Sequence, residues 1–255
     1  MSEKTISQIK GEYQAAALSM LPDFVQKYKA DQRAGVIKLV GQAQKKIDGL
    51  QAEHNRIYQL SAYERQYAEY SYICGVDEAG RGPLAGPVAA GAAILPKDCE
   101  ILYINDSKQL SEKKREELYE IIVQKALAWG VGMVSPRRID EINILQATYE
   151  AMQKAINNLA IKPDILLNDA VIIPDVPVKQ VPIIKGDTKS ISIAAASILA
   201  KVTRDRLMRE YDKQFPGYGF AVHKGYGTKA HIEALVRLGP CQIHRKTFIT
   251  HFIEG

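Results

Sequence analysis

Cys74-Gly75-Val76-Asp77-Glu78-Ala79-Gly80-Arg81-Gly82-Pro83-Leu84-Ala85-Gly86-Pro87, running on into Val88-Ala89-Ala90-Gly91-Ala92-Ala93-Ile94-Leu95, is the stretch that decides the fold. Residues 72–76 form one apolar run and residues 88–95 another. Bounded apolar runs of this length read as buried strands. Between them stand two adjacent carboxylates, Asp77 and Glu78, and a Gly-Arg-Gly turn. A carboxylate at the end of a buried strand needs a cation or hydrogen bonds to offset its lost hydration. The glycine backbone beside it lets a ligand approach closely. A lone Asp-Glu pair is ordinarily a solvated turn, so this one gains meaning only from what lies elsewhere. Gly80, Gly82 and Ala85 also imitate the dinucleotide fingerprint G-x-G-x-x-A. That fingerprint must open a helix whose N-terminus meets the pyrophosphate. Pro83, Gly86 and Pro87 interrupt here and a strand-like run follows, which excludes the dinucleotide reading.

Downstream, strands and helices alternate. Asn105-Asp106-Ser107-Lys108 is a polar loop, and Ser111 caps a helix from Glu112 to about residue 128. Residues 129–134 read as a strand. Ser135-Pro136 opens the next helix, with proline at a tolerated first position. Its apolar stripe is Ile139, Ile142, Leu145, Tyr149, Met152 and Ile156. Residues 164–167 form a strand ending in Asn168-Asp169, and residues 181–184 another ending in Lys185-Gly186-Asp187. A helix follows from about residue 188 to 211. Its first half, residues 191–200, is small and apolar on nearly all faces, hence buried. Its second half, residues 201–206, is polar and reads as surface. A Gly/Tyr-rich loop, a last helix over residues 229–238 and the tail His244-Arg245-Lys246-Thr247-Phe248 complete the chain.

Upstream, residues 1–70 read as a helical extension, with residues 71–255 as the main domain. Thr5-x-x-Gln8 is a capping-box pattern. Pro22 breaks the first helix, Asp31 precedes a longer one, and Ser61 precedes a short third. The 255 residues carry 46% hydrophobic side chains, enough for a sizeable core. The net charge of +5 is spread evenly, with 10 basic against 8 acidic side chains in residues 1–70 and 24 against 21 beyond. It favours an anionic partner without naming one. Cys74, Cys99 and Cys241 are odd in number and lack C-x-x-C spacing, which indicates neither a disulfide framework nor a zinc site. The first ten residues are polar, no run approaches the length of a membrane span, and the reducing cytoplasm is the expected compartment.

Three strand ends thus finish in acid: Asp77-Glu78, Asp169 and Asp187. Four carboxylates from three strands can surround hard divalent cations such as Mg2+ or Mn2+. Two ions about 4 Å apart stabilise the attacking and leaving oxygens of a phosphodiester displacement. Adjacent strand residues point to opposite faces, so Asp77 and Glu78 cannot both ligate by side chain from a flat strand. Either the strand bends at the Gly80 turn or one of them contributes its backbone. The plainer reading of Asp169 is a strand-end turn and that of Asp187 a helix N-cap. Arg81 can make forked contacts to phosphate, and Tyr226, between glycines, can stack on a sugar or base. Lys108, Lys185 and Lys189 lie near strand ends, where lysines are more often simply solvated. His223 and His244 are assigned no role.

These residues carry a resemblance. Residues 75–88 resemble the signature of bacterial ribonuclease HII, the type 2 ribonuclease H. The similarity continues in order through residues 106–111, 166–170, 183–190, 193–205 and 219–228, and spans about residues 72–248. The resemblance implies an α/β, ribonuclease H-like fold: a mixed sheet flanked by helices, with a helical C-terminal part. It implies cleavage of RNA in RNA–DNA hybrids and incision 5′ of single ribonucleotides in duplex DNA, leaving 3′-hydroxyl and 5′-phosphate ends. By position, Asp77, Glu78, Asp169 and Asp187 become the metal-site acids, for two Mn2+ or Mg2+ ions. Gly80, Arg81 and Gly82 resemble the reader of the ribose 2′-hydroxyl, Tyr226 the ring that stacks on the next deoxyribose, and Lys108 a cation that approaches a phosphate; Lys185, from its place at a strand end, is read as a further substrate-binding cation. A monomer acting on hybrid or ribonucleotide-containing duplex, away from membranes, is implied. Asn168 departs from the pattern, which expects an apolar residue there. The alternatives are a type 3 hybrid-specific enzyme, whose extra sheet domain is not evident here, and a non-catalytic hybrid binder.

Overall fold

The computed structural model describes residues 4–253, and the chain divides between residues 58 and 59 into two compact units. In the first unit, α1 (Ile6–Ala15) opens on the expected capping box: the Thr5 hydroxyl accepts the Gln8 N–H, and the Gln8 side chain accepts the Thr5 N–H. Pro22 lies in the first turn of α2 (Leu21–Tyr28), where its missing N–H costs nothing. The Asp31 carboxylate accepts the Arg33 N–H ahead of α3 (Ala34–Leu60). Ile9, Leu21, Phe24, Val36, Leu39 and Ala43 form the core of this unit.

The second unit runs α4 (Ala62–Gln66), β1 (Ile73–Ala79), β2 (Val88–Ile94), α5 (Glu112–Lys125), β3 (Ala128–Val134), α6 (Pro136–Asn157), β4 (Ile165–Asp169), β5 (Lys179–Ile183), α7 (Ile191–Gln214), α8 (Phe220–His223), α9 (Lys229–Leu238) and α10 (Lys246–Ile253). The strands form one mixed sheet in the order β3-β2-β1-β4-β5. The β1–β2 and β2–β3 pairs are antiparallel; the β1–β4 and β4–β5 pairs are parallel.

Glycines set how closely the helices lie on this sheet. A Cβ at Gly75 would fall 2.0 Å from the Ser192 carbonyl carbon, and one at Gly91 2.1 Å from Ala196 O. That is why the first half of α7, buried throughout from Ile191 to Ala200, is built of small residues. On the opposite face, Cβ atoms at Gly130 and Gly132 would fall 2.3 and 2.1 Å from the Ala155 and Ala151 carbonyl oxygens of α6. Cys74, Val76, Ala90, Ala92 and Ile94 pack on that side with Ile139, Ala151 and Met152.

Three expectations change in detail. First, α7 starts at Ile191, capped by Ser190, whose hydroxyl accepts the Ile193 N–H; residues Gly186–Thr188 form a separate 3-10 turn. Second, residues 201–206 are not a surface segment: Arg204 is fully buried and Asp205 nearly so. Third, α6 breaks phase at Asn143 (φ 66°, ψ 167°). Leu145 is therefore exposed, and Ala147, Thr148, Ala151 and Ala155 take the buried face instead.

Candidate active site

The register of β1 and β4 puts two acids side by side. Val76 pairs with Asn168 across these parallel strands, so Asp77 and Asp169 follow as neighbours at their C-terminal ends. Strand ends at a change of sheet direction are where α/β folds place their ligands. Asp77 pairs with Gly91 and lies on the face that meets α7; the ladder continues unbroken through Glu78 and Ala79. The strand therefore does not bend before Gly80, and side-chain alternation holds through both acids. The Glu78 N–H donates to Asp77 Oδ1 at 2.7 Å.

Asp169 is joined to the turn after β5 by the Gly186 N–H, which donates to its Oδ1 at 2.7 Å. This places Asp187, within the 3-10 turn, near Asp169. The N-cap role falls to Ser190. Lys108 comes in on the loop before α5. That loop is fastened to α7 by a 2.9 Å bond between the Ser107 and Ser197 hydroxyls, and the Lys108 N–H donates to Asp106 Oδ1.

The charges feel one another. Burial first, then the Glu78 and Asp169 carboxylates, push Asp77 well above its ordinary value against the help of the Ser197 hydroxyl. Burial and Asp169 raise Glu78, although the Arg81 guanidinium, 3.4 Å from its Oε1, pulls the other way. Asp187 is pushed up to about 6 by burial, Asp106 and Asp169, with Lys108 opposing. Burial would lower Lys108, but Asp77, Asp106, Asp187 and Glu78 outweigh it and raise its value. The cluster holds more negative charge than its cations balance. Its donors are all carboxylate oxygens, the chemistry that hard divalent ions take. Among the described residues no three His, Cys, Asp or Glu side chains already stand as a ready ligand cluster. The four acids fit a divalent cation in donor chemistry and in their shortage of positive charge.

Around the acids, Gly80 is buried with φ +90°, while Arg81 and Gly82 are exposed. A Cβ at Gly82 would meet nothing within 4 Å. Tyr226 is 40% exposed, with Lys201 Nζ 5.6 Å from its ring centroid. Lys185 is exposed in a left-handed conformation and makes no ion pair among the described residues; Lys189 is likewise exposed. The structure thus gathers Asp77, Glu78, Asp169, Asp187 and Lys108 electrostatically, and leaves the Lys185 side chain outside that group.

Sequence reasoning passed over Asp106, Ser197 and the network around Asn168. Asn168 is fully buried and donates to Val171 O at 3.2 Å and to Gln180 Oε1 at 2.8 Å. Gln180 in turn accepts the Ile173 N–H. The polar residue next to Asp169 therefore ties down the loop after β4, and its Oδ1 is left without a partner. Gln180 lies twelve residues away in an ordinary-looking strand, which gave no sign of the pairing.

Comparison with known proteins agrees with this arrangement. The family model "Ribonuclease HII" matches residues 74–251, and "Ribonuclease HII N-terminal domain" matches residues 5–68. The ribonuclease HII of Lachnoclostridium phytofermentans is 66% identical over 223 residues, 88% of each chain. That of Bacillus subtilis is 50% identical over 250 residues, 97% of each chain. The crystal structure of ribonuclease H2 from Pyrococcus horikoshii superposes with a TM-score of 0.61 at 31% identity, covering 72% of this chain and 97% of that one. The chain therefore belongs to the ribonuclease HII family and is an endoribonuclease that cuts RNA in RNA–DNA hybrids.

Proposed function

We propose that this enzyme also incises duplex DNA 5′ of a single embedded ribonucleotide, leaving 3′-hydroxyl and 5′-phosphate ends, and that Asp77, Glu78, Asp169 and Asp187 are its catalytic acids. The observation that carries this is the placement of Asp77 and Asp169 at adjacent strand ends, directly before the exposed Arg81-Gly82 backbone. The four acids would hold divalent cations, Mg2+ or Mn2+, two per site. When bound, these supply a nucleophilic water at neutral pH and offset charge on the attacking and leaving oxygens.

This chain's own residues do the selecting. The 2′-hydroxyl is the local difference between RNA and DNA. The N–H groups of Arg81 and Gly82 donate to no acceptor among the described residues, and both residues are exposed, so a ribose oxygen can take them. Arg81 and Lys108 supply positive charge for phosphates, with Lys185 as a further cation at the rim. The half-exposed Tyr226 ring can lie flat on the following sugar, where it favours a deoxyribose over a sugar with an extra hydroxyl. The side chain of Glu78 points away from the Asp77 face in the ladder, so its backbone carbonyl is its second route to an ion. Among the described residues no helix is long and apolar enough to cross a membrane, and all three cysteines are free, as in a cytoplasmic enzyme.

The test is a DNA duplex carrying one ribonucleotide, incubated with Mg2+ or Mn2+ and read by end-labelled gel. One cut 5′ of the ribonucleotide is expected. Asp77→Asn should lower the rate by at least 10³-fold while duplex affinity stays within threefold. Cleavage of long hybrid without incision at the single site would reassign the protein to type 3 behaviour. Undiminished cleavage by Asp77→Asn would remove the acids from the mechanism.

A further inference from the structure

Two arginines, Arg204 of α7 and Arg245 just before α10, have no exposed surface at all. A buried guanidinium is costly unless its donors are met, and ordinarily a carboxylate meets them. Among the described residues neither has one within hydrogen-bond distance. Asp205 is 4.0 Å from Arg204 and is held at 2.9 Å by Lys201. Both spend their donors on backbone carbonyls instead. Arg245 donates to Gly80 O at 2.6 Å, Arg81 O at 2.7 Å and Gly86 O at 3.0 Å. Arg204 donates to Pro87 O at 2.9 Å, Ala85 O at 3.1 Å and Lys224 O at 2.9 Å.

The pattern of acceptors has a geometric meaning. A guanidinium is a rigid planar fork, so it fixes the spacing of whatever it bridges. Arg245 binds both ends of the 80–86 loop to one plane. With the carbonyls of Gly80 and Arg81 turned inward to it, the free N–H groups of Arg81 and Gly82 are the polar groups that remain for a ligand. Arg204 binds that loop to Lys224, two residues before Tyr226, and its Cζ lies 5.9 Å from the Tyr226 ring centroid. The glycines match: a Cβ at Gly80 would fall 2.1 Å from Arg204 Nε, and one at Gly225 2.3 Å from Ala85 O. A Leu84 N–H bond to Gly225 O at 2.8 Å closes the same seam.

We infer that Arg204 and Arg245 are positioning residues for substrate choice: together they hold the Arg81-Gly82 backbone and Tyr226 at the spacing of a ribose followed by a deoxyribose. This rests on the ribose-reading role proposed above for those two elements. An all-RNA strand offers no deoxyribose for the ring, so the spacing matters most at a ribose–deoxyribose junction.

The measurement is a ratio: kcat/KM on a duplex with one ribonucleotide over kcat/KM on a hybrid with a continuous RNA strand. A variant that merely loses folded protein lowers both and leaves the ratio unchanged. Arg204→Lys and Arg245→Lys keep the charge and lose the fork, and each should lower the ratio at least tenfold, through kcat more than KM. Gly225→Ala keeps both arginines but drives a methyl into Ala85 O between the loops, and should lower the ratio likewise. An unchanged ratio in a folded Lys variant overturns the inference; if neither Lys variant folds, an unchanged ratio in Gly225→Ala does so. A parent enzyme that fails to incise the single ribonucleotide shows instead that the ribose-reading role is wrong, and the inference falls with it.

Discussion

Glycine does two different jobs within twenty residues of this chain, and substitution separates them. At Gly91 the missing Cβ lets α7 sit on the sheet, with Ala196 O only 2.1 Å from where that atom would be. A methyl there must push backbone aside, a form of overpacking that typically costs 1–3 kcal/mol. At Gly82 nothing lies within 4 Å and no positive φ is required. Gly91→Ala should therefore lower the urea-unfolding free energy by about 2 kcal/mol. Gly82→Ala should leave it within about 0.5 kcal/mol yet slow incision at a ribonucleotide at least tenfold, because its methyl occupies the substrate's approach. Equal loss of stability in both variants would show that the turn is structural only. At this scale the acids were legible, because carboxylates at buried strand ends demand partners. Arg204 and Arg245 were not: their partners are main-chain carbonyls, all but that of Lys224 more than a hundred residues away, which leave no mark in side-chain pattern. Asp187 is half legible, since its acid character is plain but nothing in the sequence separates its 3-10 turn from the helix that follows.

At the scale of elements, the strands and helices themselves followed from apolar runs and caps, though the order of strands in the sheet did not: Thr5, Ser111 and Ser135 all cap where their sequence context places them. What periodicity could not convey was the phase of α6. A stripe drawn straight through residues 139–156 assumes an unbroken 3.6-residue repeat. Asn143 resets it. Its side-chain oxygen accepts the Leu145 and Gln146 N–H groups at 2.9 and 3.1 Å, capping the second half of the helix from inside the first. Its backbone lies in a region that is close to glycine-only. Asn143→Ala loses the cap and keeps the strain, and should cost about 1 kcal/mol. Asn143→Gly loses a few tenths of a kcal/mol of capping but relieves strain of order 1 kcal/mol. The expected order of urea midpoints is Gly at or above Asn, with Ala lowest. An alanine variant as stable as the parent would mean that the helix runs through residue 143 in solution.

The whole molecule should lose stability in acid through a buried histidine relay. The Cys241 N–H donates to His244 Nδ1 at 3.0 Å. His244 Nδ1 is thus an acceptor, so Nε2 carries the proton and donates to His231 Nε2 at 3.1 Å. His231 Nδ1–H then donates to Tyr226 O at 2.9 Å. The chain of bonds works only with both rings neutral. Burial, then the neighbouring His231, lowers His244 from 6.5 to about 4, and burial lowers His231 as well. His223, stacked on His231 with centroids 4.3 Å apart, adds to the penalty on a second positive charge. For a histidine held neutral in the fold, the unfolded chain binds more protons between the two values, so stability rises with pH across that window. Its contribution is complete above about pH 6.5 and disappears as pH falls towards 4, on the order of 3 kcal/mol for His244. The raised acids act in the opposite sense: Asp187 favours the fold at low pH and ceases to do so as pH rises through about 6. The parent's pH profile therefore mixes both, and the difference between parent and variant isolates the relay. His244→Asn should narrow its stability gap from the parent as pH is lowered from 7 to 4.5, measured by urea unfolding at matched ionic strength. A gap that stays constant over that range would mean that His244 titrates alike in the folded and unfolded chains, and that the relay is not held neutral.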